Sequence, residues 1–175
     1  MSFNIKQAIT LTHSKATNLA VQQYVGNDKK RFKELMDLVL SDEVLMVQRA
    51  SWAMGIIAEN YPTLLLPYWD KLFKRMENPL HVSYHRNVFR ALHVANDLPI
   101  QHHGFIVDLC FNTIINLKQP TASRVFAMYV VSKLAKLYPD LKKEIILSVE
   151  PILQEELPSL KGAAKTVLKQ MQKIN

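Results

Sequence analysis

Few residues in this chain are spaced to do chemistry. His81 and His85 stand four apart, a spacing that puts two imidazoles on one helix face, where they could hold Zn(II). The stretch His81-Val82-Ser83-Tyr84-His85 lacks the glutamate of a helix-borne zinc hydrolase, and no third ligand stands nearby. Both are expected to be structural or solvated. His102 and His103 are adjacent, so on a helix their side chains diverge by about 100°, and they too read as structural or solvated. Cys110, the only cysteine, sits in the apolar run FIVDLCFNTII without an activating base, so a buried, inert thiol is expected. No GxSxG, GxxxxGK[ST] or GxGxxG occurs, and 4 glycines are too few for a phosphate cradle. The expectation is a non-catalytic chain with no metal and no cofactor.

Two stretches look suited to binding. Residues 67–75, PYWDKLFKR, mix aromatics with positive charge. On a helix, Trp69, Leu72, Phe73 and Met76 form a core face, while Tyr68, Lys71 and Arg75 share another, with Lys74 beside them. An aromatic with two cations could grip a phosphate backbone; the plainer alternative is a solvated face. Near the C-terminus, Lys161, Lys165, Lys169 and Lys173 recur every four residues, opposite Leu160, Ala164, Val167, Leu168, Met171 and Ile174. Such a stripe suits either the polar outer face of a terminal helix or the capture of an acidic partner.

The elements that carry these residues are helices. The 175 residues are 49% hydrophobic, as in a globular chain, and 4 Gly with 8 dispersed Pro suit long helices and short connections. Ile5, Ile9, Thr12, Ala16, Leu19 and Gln23 predict a first helix, which Gly26-Asn27-Asp28 ends. Phe32, Leu35, Met36, Val39 and Leu40 mark a second, and a third runs from about Glu43 to Asn60, with Ser41-Asp42 offering its cap. Further helices are expected from Pro62 to about Glu77, Val82 to Asn96, and Pro99 to Leu117, then over 122–137, 140–156 and 159–173. Pro67 falls within a first turn; Pro151 falls mid-helix and should kink or split it. The longest apolar run, Val125 to Val131, is far too short to span a bilayer, and the opening MSFNIKQAITLTH does not read as a signal peptide. With a single cysteine, a soluble cytoplasmic protein is expected. The net charge is +7, and residues 122–175 hold nine cations against five anions, which favours anionic partners.

Three of the helices align on the proline that follows each: RASWAMGIIAENYP (49–62), RNVFRALHVANDLP (86–99) and FAMYVVSKLAKLYP (126–139). Ten residues before the proline stands an aromatic, Trp52, Phe89 or Tyr129. Five before it stands Ile57, Val94 or Leu134, and four before it Ala58, Ala95 or Ala135. The prolines are 37 and 40 residues apart. A small alanine lets a neighbouring helix approach, the aromatic fills the layer beside it, and the proline starts the partner helix. Stacked pairs can bury faces that one pair cannot. The aromatic column is expected in the core.

Leu38-Val39-Leu40-Ser41-Asp42, Val47-Gln48-Arg49-Ala50, Ala53-Met54-Gly55 and Leu64-Leu65-Leu66-Pro67 together resemble a HEAT repeat. The resemblance covers 38–78 best, then 83–119. Residues 122–157 lack the Asp, 1–41 fit as a divergent first pair, and 159–175 as a capping helix. It implies an all-α fold: a right-handed α-α superhelix of about four helix pairs plus a C-terminal capping helix, in a single domain over 1–175. HEAT-like metal hydroxylases carry repeated His-Glu dipeptides, and this chain has none. HEAT-like alkylpurine DNA glycosylases frame a catalytic Asp with tryptophans; here Asp70 directly follows Trp69, so the two point apart. The implied function is a protein-binding scaffold that uses a concave face, with a nucleic-acid-binding module as the alternative. The binding residues expected are Tyr68, Lys71, Lys74, Arg75, Lys161, Lys165, Lys169 and Lys173, with a protein as partner, nucleic acid as the alternative, and no membrane.

Overall fold

The structure is a computed structural model and describes residues 3–174, all of them in helices, turns and short links, with no strand among the described residues. The chain divides into two compact units between Asp97 and Leu98.

The first unit holds α1 (Ile5–Leu11), α2 (Lys15–Val25), α3 (Lys29–Val39) and α4 (Val44–Asn60), a 3₁₀ segment Pro62–Tyr68, α5 (Trp69–Met76) and α6 (Val82–Val94). The single helix expected over Ile5–Gln23 is two. Thr12 is extended at φ −142°, and the Ser14 hydroxyl accepts from the Thr17 amide at 3.1 Å, so Ser14 caps a new helix. A side-chain oxygen that can satisfy a free amide outweighs an unbroken apolar period. Gly26 takes the positive φ (48°) that ends α2, and the Asp28 carboxylate then accepts from the amides of Lys30 and Arg31 to start α3.

Helix α4 is the wall of this unit: Met46, Val47, Ala50, Ser51, Ala53, Met54, Gly55, Ile57 and Ala58 are all buried. Each large apolar side chain sealed here contributes about 1.5–3 kcal/mol. Gly55 sets the approach of α6, because a Cβ there would sit 2.8 Å from the Asn87 side-chain oxygen. Of the aromatic column, Phe89 is fully buried, whereas Trp52 is half-buried, edge-on to His13 at 5.2 Å. Trp52 is covered on that side by the short link between α1 and α2 rather than by a helix. The stretch from Pro62 starts as 3₁₀ and turns α-helical only at Trp69. Pro67, inside that segment, brings no amide to an α-helical ladder.

The second unit holds a 3₁₀ turn Ile100–His102, α7 (His103–Ile115), α8 (Thr121–Leu134), α9 (Leu141–Val149), a 3₁₀ segment Glu150–Gln154 and α10 (Pro158–Met171). Pro151 does split its helix, which continues only as 3₁₀. Helix α8 packs against α7 and α10. Ala135 and Leu134 are buried, while Tyr129, like Trp52, is half-buried, so the aromatic column is core only at Phe89. No described helix is long and apolar enough to cross a membrane.

Candidate functional site

Helix α5 has two faces. Trp69 and Phe73 stack at 5.5 Å and are buried with Leu72 and Met76. The opposite face carries Lys71, Lys74 and Arg75. Lys71 and Lys74 are exposed, and neither forms an ion pair among the described residues. Arg75 is held: its Nη2 donates to the Leu40 carbonyl at 2.8 Å and to Asp42 Oδ1 at 3.0 Å. Leu40 ends α3, so the guanidinium satisfies a carbonyl that the helix leaves without an internal donor.

These three cations, with Leu40, Asp42 and Asn78, line an open depression of about 390 Å³. Tyr68 does not line it. Its ring meets Phe32 of α3 edge-on at 5.8 Å. Burial raises its hydroxyl pKa, and the Asp37 carboxylate adds to the shift. Asp42 is the member that sequence reasoning missed. Ser41-Asp42 reads as a cap for α4, but Glu43 occupies the N-cap position, its own side chain makes no capping bond, and the Ser41 hydroxyl accepts only from the Glu43 amide at 3.4 Å. That leaves the Asp42 carboxylate for Arg75.

In the second unit, Lys161, Lys165 and Lys169 lie on α10, and Lys173 in the turn beyond it. Lys161 is half-buried and the other three are exposed, opposite buried Leu160, Ala164, Val167 and Met171. A second depression, about 430 Å³, is lined by Pro139, Asp140, Lys142, Lys143, Ile146 and Leu147. No signal in the helical period pointed to it. Lys142 is engaged there, its Nζ donating to the Ile174 carbonyl at 2.6 Å.

The histidines do not converge. His81 caps α6, its Nδ1 accepting from the Ser83 amide at 3.1 Å. His85 is buried edge-on to Phe89 at 5.0 Å, and burial pushes its pKa down to about 4. His103 bonds the Leu98 carbonyl through Nε2 at 3.0 Å and the Tyr138 hydroxyl through Nδ1 at 2.9 Å. Burial raises the pKa of the Cys110 thiol far above its ordinary value, which leaves it unreactive. Among the described residues, no three His, Cys, Asp or Glu side chains group as a metal site would need.

Helices packed in succession, with cations set on exposed faces, define the class: a helical-repeat protein of the kind that serves as a protein-interaction module. The family model of the HEAT repeat domain matches residues 5–171, and the chain belongs to the HEAT repeat family. No curated protein and no solved structure matches it.

Proposed function

We propose that this chain is a non-catalytic scaffold that binds another protein through the Lys71, Lys74 and Arg75 face of α5. A right-handed winding of the pairs, a concave placement of this face and a cytoplasmic setting belong to the same reading. One observation carries it. Lys71 and Lys74 stand exposed and without ion pairs among the described residues, beside a depression whose third cation is already fixed in place. Long lysines with no internal partner are free to meet an anionic surface, and such charges raise association rates and set specificity. The test is affinity capture with the wild-type chain and with a Lys71→Glu/Lys74→Glu variant, read by mass spectrometry. A protein recovered by the wild type and lost by the variant is expected. Identical recovery by both sinks the proposal.

A nucleic-acid-binding module is the second reading, favoured by the lysine stripe of α10 and its lack of ion pairs among the described residues. Phosphate contacts release counterions, so duplex binding should weaken steeply with salt. No binding at about 50 mM salt rules this out.

A further inference from the structure

Resting on the scaffold reading, we infer that the depression on α5 receives an Asp/Glu-rich segment of the partner, one of whose carboxylates takes the place of Asp42 on Arg75. Asp42 is a resident competitor. Its side chain is 96% exposed although it bonds Arg75, whose own side chain is only 19% exposed. The cation is therefore largely buried in the depression, while its anion reaches over from solvent, and its leaving would uncover the Arg75 donor.

The donor inventory supports this. A guanidinium has five N–H donors in a planar fork. Both bonds made by Arg75 run from Nη2, one to Leu40 and one to Asp42. The Leu40 bond holds the fork in position whether or not Asp42 stays. When Asp42 swings away, the freed Nη2 proton and the adjacent donors present the flat edge that a carboxylate accepts with two oxygens. Lys71 and Lys74 flank the position and supply charge for a second and third acidic residue.

Charge complementarity and the resident carboxylate select the occupant. The group now on Arg75 is a carboxylate, so a carboxylate fits in size and charge. A single-stranded nucleic acid would call for a stacking aromatic beside the cations, and Tyr68, which precedes the helix, is turned onto Phe32.

The experiment is fluorescence anisotropy on the full chain with three labelled probes: a ten-residue Glu-rich peptide, a phosphoserine peptide of equal charge, and a single-stranded oligonucleotide of equal charge. Asp42→Asn removes the competitor and leaves the Leu40 bond. It is expected to tighten the Glu-rich peptide by about threefold, as loss of a solvent-exposed ion pair allows. Glu156→Gln, an equal charge change on the exposed surface of the second unit, is expected to leave affinity unchanged. Lys71→Glu/Lys74→Glu is expected to weaken the peptide at least about tenfold. Circular dichroism confirms that each variant is folded.

Unchanged or weaker peptide binding by Asp42→Asn overturns the resident competitor, while the scaffold reading stands or falls on the lysine variant alone. Equal tightening by Glu156→Gln overturns it too, since net charge would then explain the gain. Tighter binding of the phosphopeptide or the oligonucleotide than of the Glu-rich peptide overturns the choice of occupant, as does failure of the Glu-rich peptide to bind wild type and Asp42→Asn alike.

Discussion

Each unit contains an arginine that binds a carbonyl near the end of a helix and an acidic side chain distant in sequence. In the second unit, Arg124 Nε donates to the Ile114 carbonyl at 2.9 Å, and Nη1 and Nη2 donate to the two oxygens of Glu155 at 2.8 and 2.6 Å. In the first unit, Arg75 uses one nitrogen for both partners. Exposure separates them further. Arg124 is 5% exposed and Glu155 25%, against 19% for Arg75 and 96% for Asp42. A fork closed on both oxygens and shielded from water is a tie between elements. A single bond to a solvated carboxylate holds little against water and salt. An arginine paired with a carboxylate is thus a two-bond fastening in one place and a single solvated contact in the other, and the two acids differ in exposure accordingly.

The largest effect that follows is at Arg124. Arg124→Met should lower stability by about 3–5 kcal/mol, because it strands the Glu155 carboxylate and the Ile114 carbonyl. Arg75→Met should cost about 1 kcal/mol. Urea denaturation of both variants measures the difference, and equal costs break the comparison. A pH arm sharpens it. The hydrogen bonds from Arg124 hold the Glu155 pKa below its ordinary 4.5. Its contribution is therefore full above about pH 4.5 and is lost as pH falls through the lower folded value. Glu155→Gln should flatten that acid limb.

How much of this was legible follows from range along the chain. The three aligned segments locate their helices, the alanines Ala58, Ala95 and Ala135 are buried as the spacing implies, and Pro151 divides its helix. Local chemistry decides each of these. The break at Thr12–Ser14 was hidden by an apolar period that runs across it, and the cap that makes it is a single hydroxyl. The half-buried state of Trp52 and Tyr129 depends on what covers them, which no column of a repeat states. At the site, the 3.6-residue period does put Lys71, Lys74 and Arg75 on one face. It fails for Tyr68, which precedes the first α-helical residue and lies in 3₁₀ geometry, where successive side chains turn by about 120° rather than 100°. That Arg75 is held by Leu40 and Asp42 depends on where α3 ends in space, more than thirty residues back in the chain.

A buried histidine in each unit repeats the contrast. His103 has both ring nitrogens bonded, and because the Leu98 carbonyl can only accept, Nε2 donates to it. His85 Nδ1 is buried with no hydrogen-bond partner among the described residues, and burial lowers its pKa from 6.5 to about 4. The unfolded chain then takes up a proton in a range where the folded chain does not. Stability at His85 is full above about pH 6.5 and is lost as pH falls towards about 4, a decline of about 2–3 kcal/mol over that window. His85→Leu should remove this slope, as measured by denaturant midpoints at stepped pH. A slope that persists in the variant would assign it to other groups.

The smallest expected effect is the most direct measure of the difference between the two arginines. A double-mutant cycle on Arg75 and Asp42 (Arg75→Met, Asp42→Asn and both) should give a coupling below about 1 kcal/mol, since one partner is solvated and the bond is single. The same cycle on Arg124 and Glu155 should give about 2–3 kcal/mol. Raising salt to about 1 M, where the screening length is about 3 Å, should erase the first coupling and leave most of the second. A coupling at Arg75–Asp42 that matches the buried pair and resists salt would make Asp42 a fastening. In that case no incoming carboxylate could displace it at modest cost. A coupling near zero leaves Arg75 anchored by Leu40 alone, with its remaining donors free for a partner.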